Sequence, residues 1–139
     1  MRVFLDTNVL ASAFATRGLC ADVLRHVLAE HELVVGEVVL VELRRVLRTK
    51  LRVPADLADD VESMLRDHEV VPKPARAPRL ELRDPYDRWI VASAIAGGAD
   101  VLVTGDRDLL DAAARLPLPV LAPRAFWDLA RRSTPPSAD

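Results

Sequence analysis

The chain has 139 residues, half of them hydrophobic and 29% charged, with 19 basic against 21 acidic side chains. That is the material of one folded domain, too apolar for a disordered segment and large enough to hold a core without a disulfide or structural zinc. A net charge of −2 excludes a protein that grips nucleic acid by bulk positive charge, but not a nucleic-acid enzyme whose acids are gathered in one place.

Residues 2–5 (RVFL) read as a short strand that stops at Asp6. Asp6-Thr7-Asn8 is a turn and N-cap cluster, and the apolar run to Phe14 predicts a helix behind it. After Gly18, residues 20–30 place Val23, Leu24, Val27 and Leu28 at helical spacing. Leu33–Val35 is a short strand stopped by Gly36. Residues 37–49 (EVVLVELRRVLRT) predict a helix whose basic C-terminal end suits the macrodipole. Pro54 opens an amphipathic helix over 54–68. Residues 72–79 (PKPARAPR) hold three of the ten prolines and read as a connecting loop. Asp84-Pro85 predicts an N-cap with Pro in the first turn of a helix over 85–96, closed by Gly97-Gly98. A strand at Val101–Thr104, a short helix near 107–114, a strand near Val120 and a last helix over 124–131 complete a single domain, 1–132. Residues 133–139 are expected to be a disordered tail.

Strands alternating with helices imply an α/β fold: a three-layer sandwich with a mostly parallel central sheet of four or five strands. Such sheets bind ligands beyond the carboxyl ends of their strands. The single Cys20 cannot form an internal disulfide, the three histidines have no metal-ligand spacing, and no run of about 18 apolar residues exists to span a membrane. A reducing cytoplasm is the expected compartment.

Asp6 and Asp106 each directly follow an apolar strand, so neighbouring strands would aim both carboxylates into one crevice. Either residue alone is equally explained as a helix cap. Glu42 sits among Val38, Val39, Val41, Leu43 and Val46, where a carboxylate is rare unless paired or metal-bound; the alternative is a surface ion pair with Arg45. Asp87 has the alternative role of an acid in a capping box begun by Asp84, yet the following WIVASAIA is apolar nearly all round and implies a buried helix opening onto the crevice. Trp89 in that segment is expected in the core. Carboxylates that converge repel one another, and Mg²⁺ or Mn²⁺ relieves this because hard cations prefer oxygen ligands. That is the chemistry of phosphodiester hydrolysis.

Together VFLDTNVLASAF, VELRRVL and DPYDRWIVASAIAGGADVLVTGDRDLL resemble the PIN-domain family, in particular VapC-like toxins of bacterial toxin–antitoxin pairs, over residues 1–130. The resemblance implies an Mg²⁺- or Mn²⁺-dependent ribonuclease with Asp6, Glu42, Asp87 and Asp106 as the catalytic and metal-binding acids. Asp108 is a second option for the fourth position, and Asp84 for the third. Asn8 and Thr104 would orient these carboxylates. Arg17, Arg83, Arg88 and Arg107 flank the site-bearing segments and are candidates for RNA phosphates, or else solvated surface. The resemblance further implies a homodimer and a small antitoxin partner.

Two other readings compete with this one. The first is a PIN-like module that binds RNA or protein without catalysis. The second is a hydrolase using Asp6 as a covalent nucleophile, which the Asn at position 8 and the scarcity of Lys (Lys50 and Lys73 only) disfavour.

Overall fold

A computed structural model describes residues 1–133. Strand β1 (Arg2–Leu5) leads into helix α1 (Thr7–Ala15), then α2 (Leu19–Glu30), β2 (Glu32–Gly36) and α3 (Glu37–Arg45). A π-turn (Val46–Lys50) separates α3 from α4 (Ala55–Arg66), which is followed by β3 (Glu69–Val71) and α5 (Asp87–Ala96). The described residues close with β4 (Val101–Val103), α6 (Arg107–Asp111), a 3₁₀ turn (Ala113–Arg115), β5 (Val120–Leu121) and α7 (Pro123–Ser133). Residues 134–139, most of the expected tail, lie outside the described residues; Ser133 is the last residue of α7.

The five strands among the described residues are all parallel, in the order β3-β2-β1-β4-β5, and with the flanking helices they form a three-layer α/β sandwich. Val3, Phe4 and Leu5 of β1 are buried, as are the central residues of β2 and all of β4. This is the continuous apolar run expected of strands covered on both faces. The chain leaves β1 toward β2 on one side and returns after β3 to place β4 on the other. The order therefore reverses at β1 and β4, which pair Leu5 with Val103. A crevice opens beyond the carboxyl ends of strands at such a reversal, and Asp6 and Thr104 are the next residues of the two strands.

Three local details depart from the expected elements. The helix expected over 37–49 stops at Arg45 and continues as the π-turn, closed by Leu51 N–H donating to Val46 O at 3.1 Å. The helix expected to reach 68 ends at Arg66, and Glu69–Val71 pairs with β2 as the outermost strand on that side. Three residues without alternation carry too little pattern to announce an edge strand. The helix expected from 85 begins at Asp87, because Pro85 and Tyr86 form a turn held by Asp84.

Gly97 shows why α5 ends where it does. A Cβ there would stand 2.7 Å from both Val34 and Val71 methyls, so only glycine lets the end of α5 rest on β2 and β3. Trp89, expected in the core, is half-buried and packs against its edge, and Lys73 Nζ lies 4.6 Å above its ring.

Candidate active site

Asp6 is the N-cap of α1. Its Oδ1 accepts from the backbone N–H of Thr7 at 2.7 Å, the role anticipated for an aspartate after a strand. Its Oδ2 faces the neighbouring strand end, where the Thr104 hydroxyl donates at 2.7 Å and the Asn8 amide at 3.4 Å. Backbone pairing fixes this meeting, since Asp6 N–H donates to Val103 O at 2.9 Å. Asn8 then reaches across the strands, its Oδ1 accepting from Gly105 N–H at 2.9 Å. The two residues expected to orient the acids, Asn8 and Thr104, thus both contact Asp6.

Asp106 caps α6 in the same manner, its Oδ1 accepting from Asp108 N–H at 2.8 Å. Its own N–H donates to the Thr104 hydroxyl at 3.0 Å, so one threonine ties both aspartates. Asp108, the alternative fourth acid, lies 3.7 Å from the Arg83 guanidinium. Asp87 is buried at the start of α5, and its Oδ2 has no hydrogen-bond partner among the described residues. Asp84 is exposed and caps: its Oδ1 accepts from Tyr86 N–H at 2.9 Å, and its carbonyl from Asp87 N–H. Asp87 is therefore the acid committed to the interior.

Glu42 is half-buried on α3. Among the described residues no ion pair joins it to Arg45. Sequence reading gave no role to Tyr86, whose hydroxyl donates to Val38 O at 2.6 Å. It ties the first turn of α3 to the segment that carries Asp87. Burial, with the nearby charges of Glu42 and Asp6 adding to it, pushes its pKa well above the usual phenol value.

The electrostatics record how the acids crowd. Burial is the main reason that the Asp6 carboxyl is pushed up to about 6, with Glu42 and Asp106 adding repulsion and Thr104 opposing. Burial likewise pushes Asp87 up to about 7, with Asp106, Asp6, Asp84 and Asp108 adding to it in that order. Such shifts mark carboxylates that would rather be neutral, or meet a cation, than stay ionised together. Asp106 adds more than Asp108 to the shift of Asp87, and of the two only Asp108 stands within ion-pair distance of an arginine among the described residues.

Among the described residues, no group of three or more acidic, imidazole or thiol side chains is placed so that all of them could hold one metal ion. The donor set still fits a hard divalent ion, which binds through one or two carboxylates and keeps several waters. All donors are oxygens, and one buried oxygen of Asp87 lacks a partner. Asp6, Glu42, Asp87 and Asp106 are the carboxylates from which such an ion would draw one or two ligands.

The arginines expected to flank the site divide. Arg17 and Arg107 are exposed and have no ion pair among the described residues, Arg83 leans toward Asp108, and Arg88 folds back on Pro85 O at 3.5 Å. A denser basic group passed unread in the sequence. Arg44, Arg45 and Arg48, with Arg66 from α4, line one groove. The doublet and its i+4 repeat were visible but were read as a complement to the helix dipole, with Arg45 as the alternative ion-pair partner of Glu42. Among the described residues no helix is long and apolar enough to cross a membrane.

Comparison with known proteins places these features. The sequence profile of the PIN domain matches residues 2–108. The fold is similar to that of VapBC2 from Rickettsia felis, solved bound to a DNA fragment from their promoter, at 19% identity and a TM-score of 0.62, covering 88% of this chain and 98% of that one. It is also similar to a PilT N-terminus domain protein of the archaeon Sulfolobus solfataricus, at 14% identity and a TM-score of 0.59, covering 98% of each chain. A protein from Pyrobaculum aerophilum is similar at 18% identity and a TM-score of 0.60, covering 96% of this chain and 91% of that one. No curated protein sequence matches.

Proposed function

The chain belongs to the PIN domain family, and on that footing we propose that it is an Mg²⁺- or Mn²⁺-dependent endoribonuclease serving as the toxin of a toxin–antitoxin pair. The observation that carries this reading is the crevice between β1 and β4, where Asp6 and Asp87 are buried with raised pKa values beside Asp106 and Glu42. A fold does not keep two buried acids in mutual repulsion for stability; a cation-binding role accounts for the cost.

When bound, a divalent ion supplies neutralisation of these carboxylates and Lewis acidity toward a phosphodiester and its attacking water. The chain's own part is positioning. Thr104 fixes Asp6 Oδ2 and the backbone of Asp106 through one hydroxyl. Asn8 holds the Gly105 turn against β1, and Tyr86 sets the spacing between the Glu42 helix and the start of α5. Asp87 N–H is held by Asp84 O at 3.0 Å, which leaves its carboxylate for the crevice. Both Asp6 oxygens are engaged in hydrogen bonds, which disfavours a covalent aspartyl role.

The partners proposed are an RNA substrate, a second copy of the chain and a small antitoxin, all in the cytoplasm. The exposed Leu28 on α2 and Leu57 on α4 support protein contacts on those helices. Purified protein supplied with Mg²⁺ or Mn²⁺ is expected to cut members of a broad RNA panel, with chelator or Asp6→Asn abolishing the cut. The alternative, a catalytically silent PIN-like binding module, is favoured if calorimetry finds no Mn²⁺ binding to the wild-type chain. Co-expression with a small protein encoded immediately upstream is expected to relieve growth arrest; arrest that persists would separate the nuclease from the toxin role.

A further inference from the structure

Between α3 and α4 lies a groove of about 380 Å³, lined in part by Leu40, Val41, Arg44, Arg45, Arg48 and Arg66. Two of its arginines are structural. Arg44 pairs with Asp59 at 2.7 Å, and Arg66 with Glu37 at 2.7 Å and Glu62 at 2.9 Å. Arg44 and Arg66 thus bind α3 and α4 to each other and hold the groove's width. The other two are different. Arg45 and Arg48 are exposed and have no carboxylate partner among the described residues; Arg48 gives one N–H to Val53 O at 2.8 Å and keeps its remaining donors.

Arg45 lies one helical turn from Glu42, and Arg48 follows one turn further along the chain. At 3.6 residues per turn, Arg45 stands roughly 40° around the helix from Val41 and roughly 60° from Glu42, between groove and crevice. Arg48 follows from the π-turn, a local widening often found at functional positions. Val41, at 68% exposure, is the most exposed large hydrophobic residue among those described, and it sits on the same stripe. A strand whose scissile phosphate rests at the acids must leave over neighbouring surface; Arg17 and Arg107 are exposed there as single cations, whereas this groove gathers four arginines.

We infer that this groove carries the RNA strand away from the acids, with Arg45 and Arg48 each holding a backbone phosphate and Val41 contacting a sugar or base. The choice of polymer rests on the ribonuclease reading. The contacts are to the backbone, so they position the strand and do not select its sequence. Guanidinium forks suit phosphate oxygens, and with few aromatics on the chain the groove gains little from stacking.

The test is fluorescence anisotropy with a labelled single-stranded RNA of mixed sequence, in chelator so that nothing is cut, over a salt series. Wild type is compared with Arg45→Gln/Arg48→Gln and with the charge-retaining Arg45→Lys/Arg48→Lys. The neutral pair is expected to bind at least roughly fivefold more weakly, and its log–log salt slope to fall by about 1.4, at about 0.7 per phosphate on a single strand. The lysine pair should restore most of that slope. Arg45→Gln alone, which removes no hydrogen bond of the fold, should lower the slope by about 0.7 and covers the case of an unstable double variant. Equal affinity and slope in wild type and neutral variants overturn the inference, as does a wild type that binds no RNA. If the neutral pair instead loses binding only to an acidic amphipathic helical peptide, the groove is a protein seat and the inference fails. The nuclease reading fails separately: arginine-dependent RNA binding without any cleavage in Mn²⁺ sinks that reading and leaves the groove standing.

Discussion

Replacing Asp87 by Asn should make the metal-free protein more stable at alkaline pH and barely change it in acid. Asp87 is buried and carries a pKa raised from 3.8 to about 7. An acid whose folded pKa lies above its unfolded value favours the fold below the unfolded pKa, and that advantage is lost as pH rises through the folded one. The window therefore runs from about pH 4 to about pH 7. Three units amount to about 4 kcal/mol at most, and roughly half survives once water in the crevice screens the neighbouring acids. At pH 8 the Asn variant should then gain about 2 kcal/mol, or roughly 5–10 °C in Tm for a domain of this size. At pH 3, below the unfolded pKa, the gain should nearly vanish. Thermal denaturation of both proteins in chelator at the two pH values is the assay, and the difference between them isolates Asp87 from every other titrating group. A variant destabilised equally at both pH values would refute the reasoning, because Asp87 would then be an ordinary satisfied core acid.

Other substitutions probe the supports around it. Thr104→Val removes the hydroxyl that lowers the Asp6 pKa, so the acidic limb of Mn²⁺ binding should move up by about one pH unit; a limb that stays put contradicts the assignment. Tyr86→Phe removes the bond to Val38 O, and urea unfolding should show a loss of about 1 kcal/mol together with weaker Mn²⁺ binding by calorimetry. Gly97→Ala forces a methyl to within 2.7 Å of Val34 and Val71, and should cost about 1–3 kcal/mol of stability in the same assay without shifting the pH limb of metal binding.

Much of the fold was legible because its period is simple. Buried parallel strands such as VFL and VLV are short apolar runs, and each ends in a polar or glycine stop that also marks the crevice. The acids were legible for the same reason. A strand-end aspartate stands beyond the sheet's carboxyl edge wherever the strand lies, so Asp6 and Asp106 needed only adjacent strands to meet. Glu42 could not be settled by pattern, because a carboxylate among valines suits a surface stripe as well as a crevice wall; the fold leaves it half-buried. Edge strand β3 was lost because pairing with β2, not local propensity, makes it a strand. Tyr86 was missed because its contact with Val38 spans 48 positions and nothing local points to it. The arginine groove was missed because charge on a helix end has a sufficient local explanation, and only the approach of α4 turns that end into a wall.

The most direct measurement is cleavage of one susceptible RNA by wild type and by Asp6→Asn, Glu42→Gln, Asp87→Asn and Asp106→Asn side by side, with Mn²⁺ added and withheld, followed by analysis of the product ends. Each variant should lose about 10²-fold or more in rate. Products of the wild type should carry linear phosphate ends, since a water molecule and not the neighbouring 2′-hydroxyl attacks phosphorus. Variants that cut as fast as wild type, cleavage that ignores Mn²⁺, or 2′,3′-cyclic phosphate as the final product would contradict a site in which these four carboxylates hold the metal that activates water.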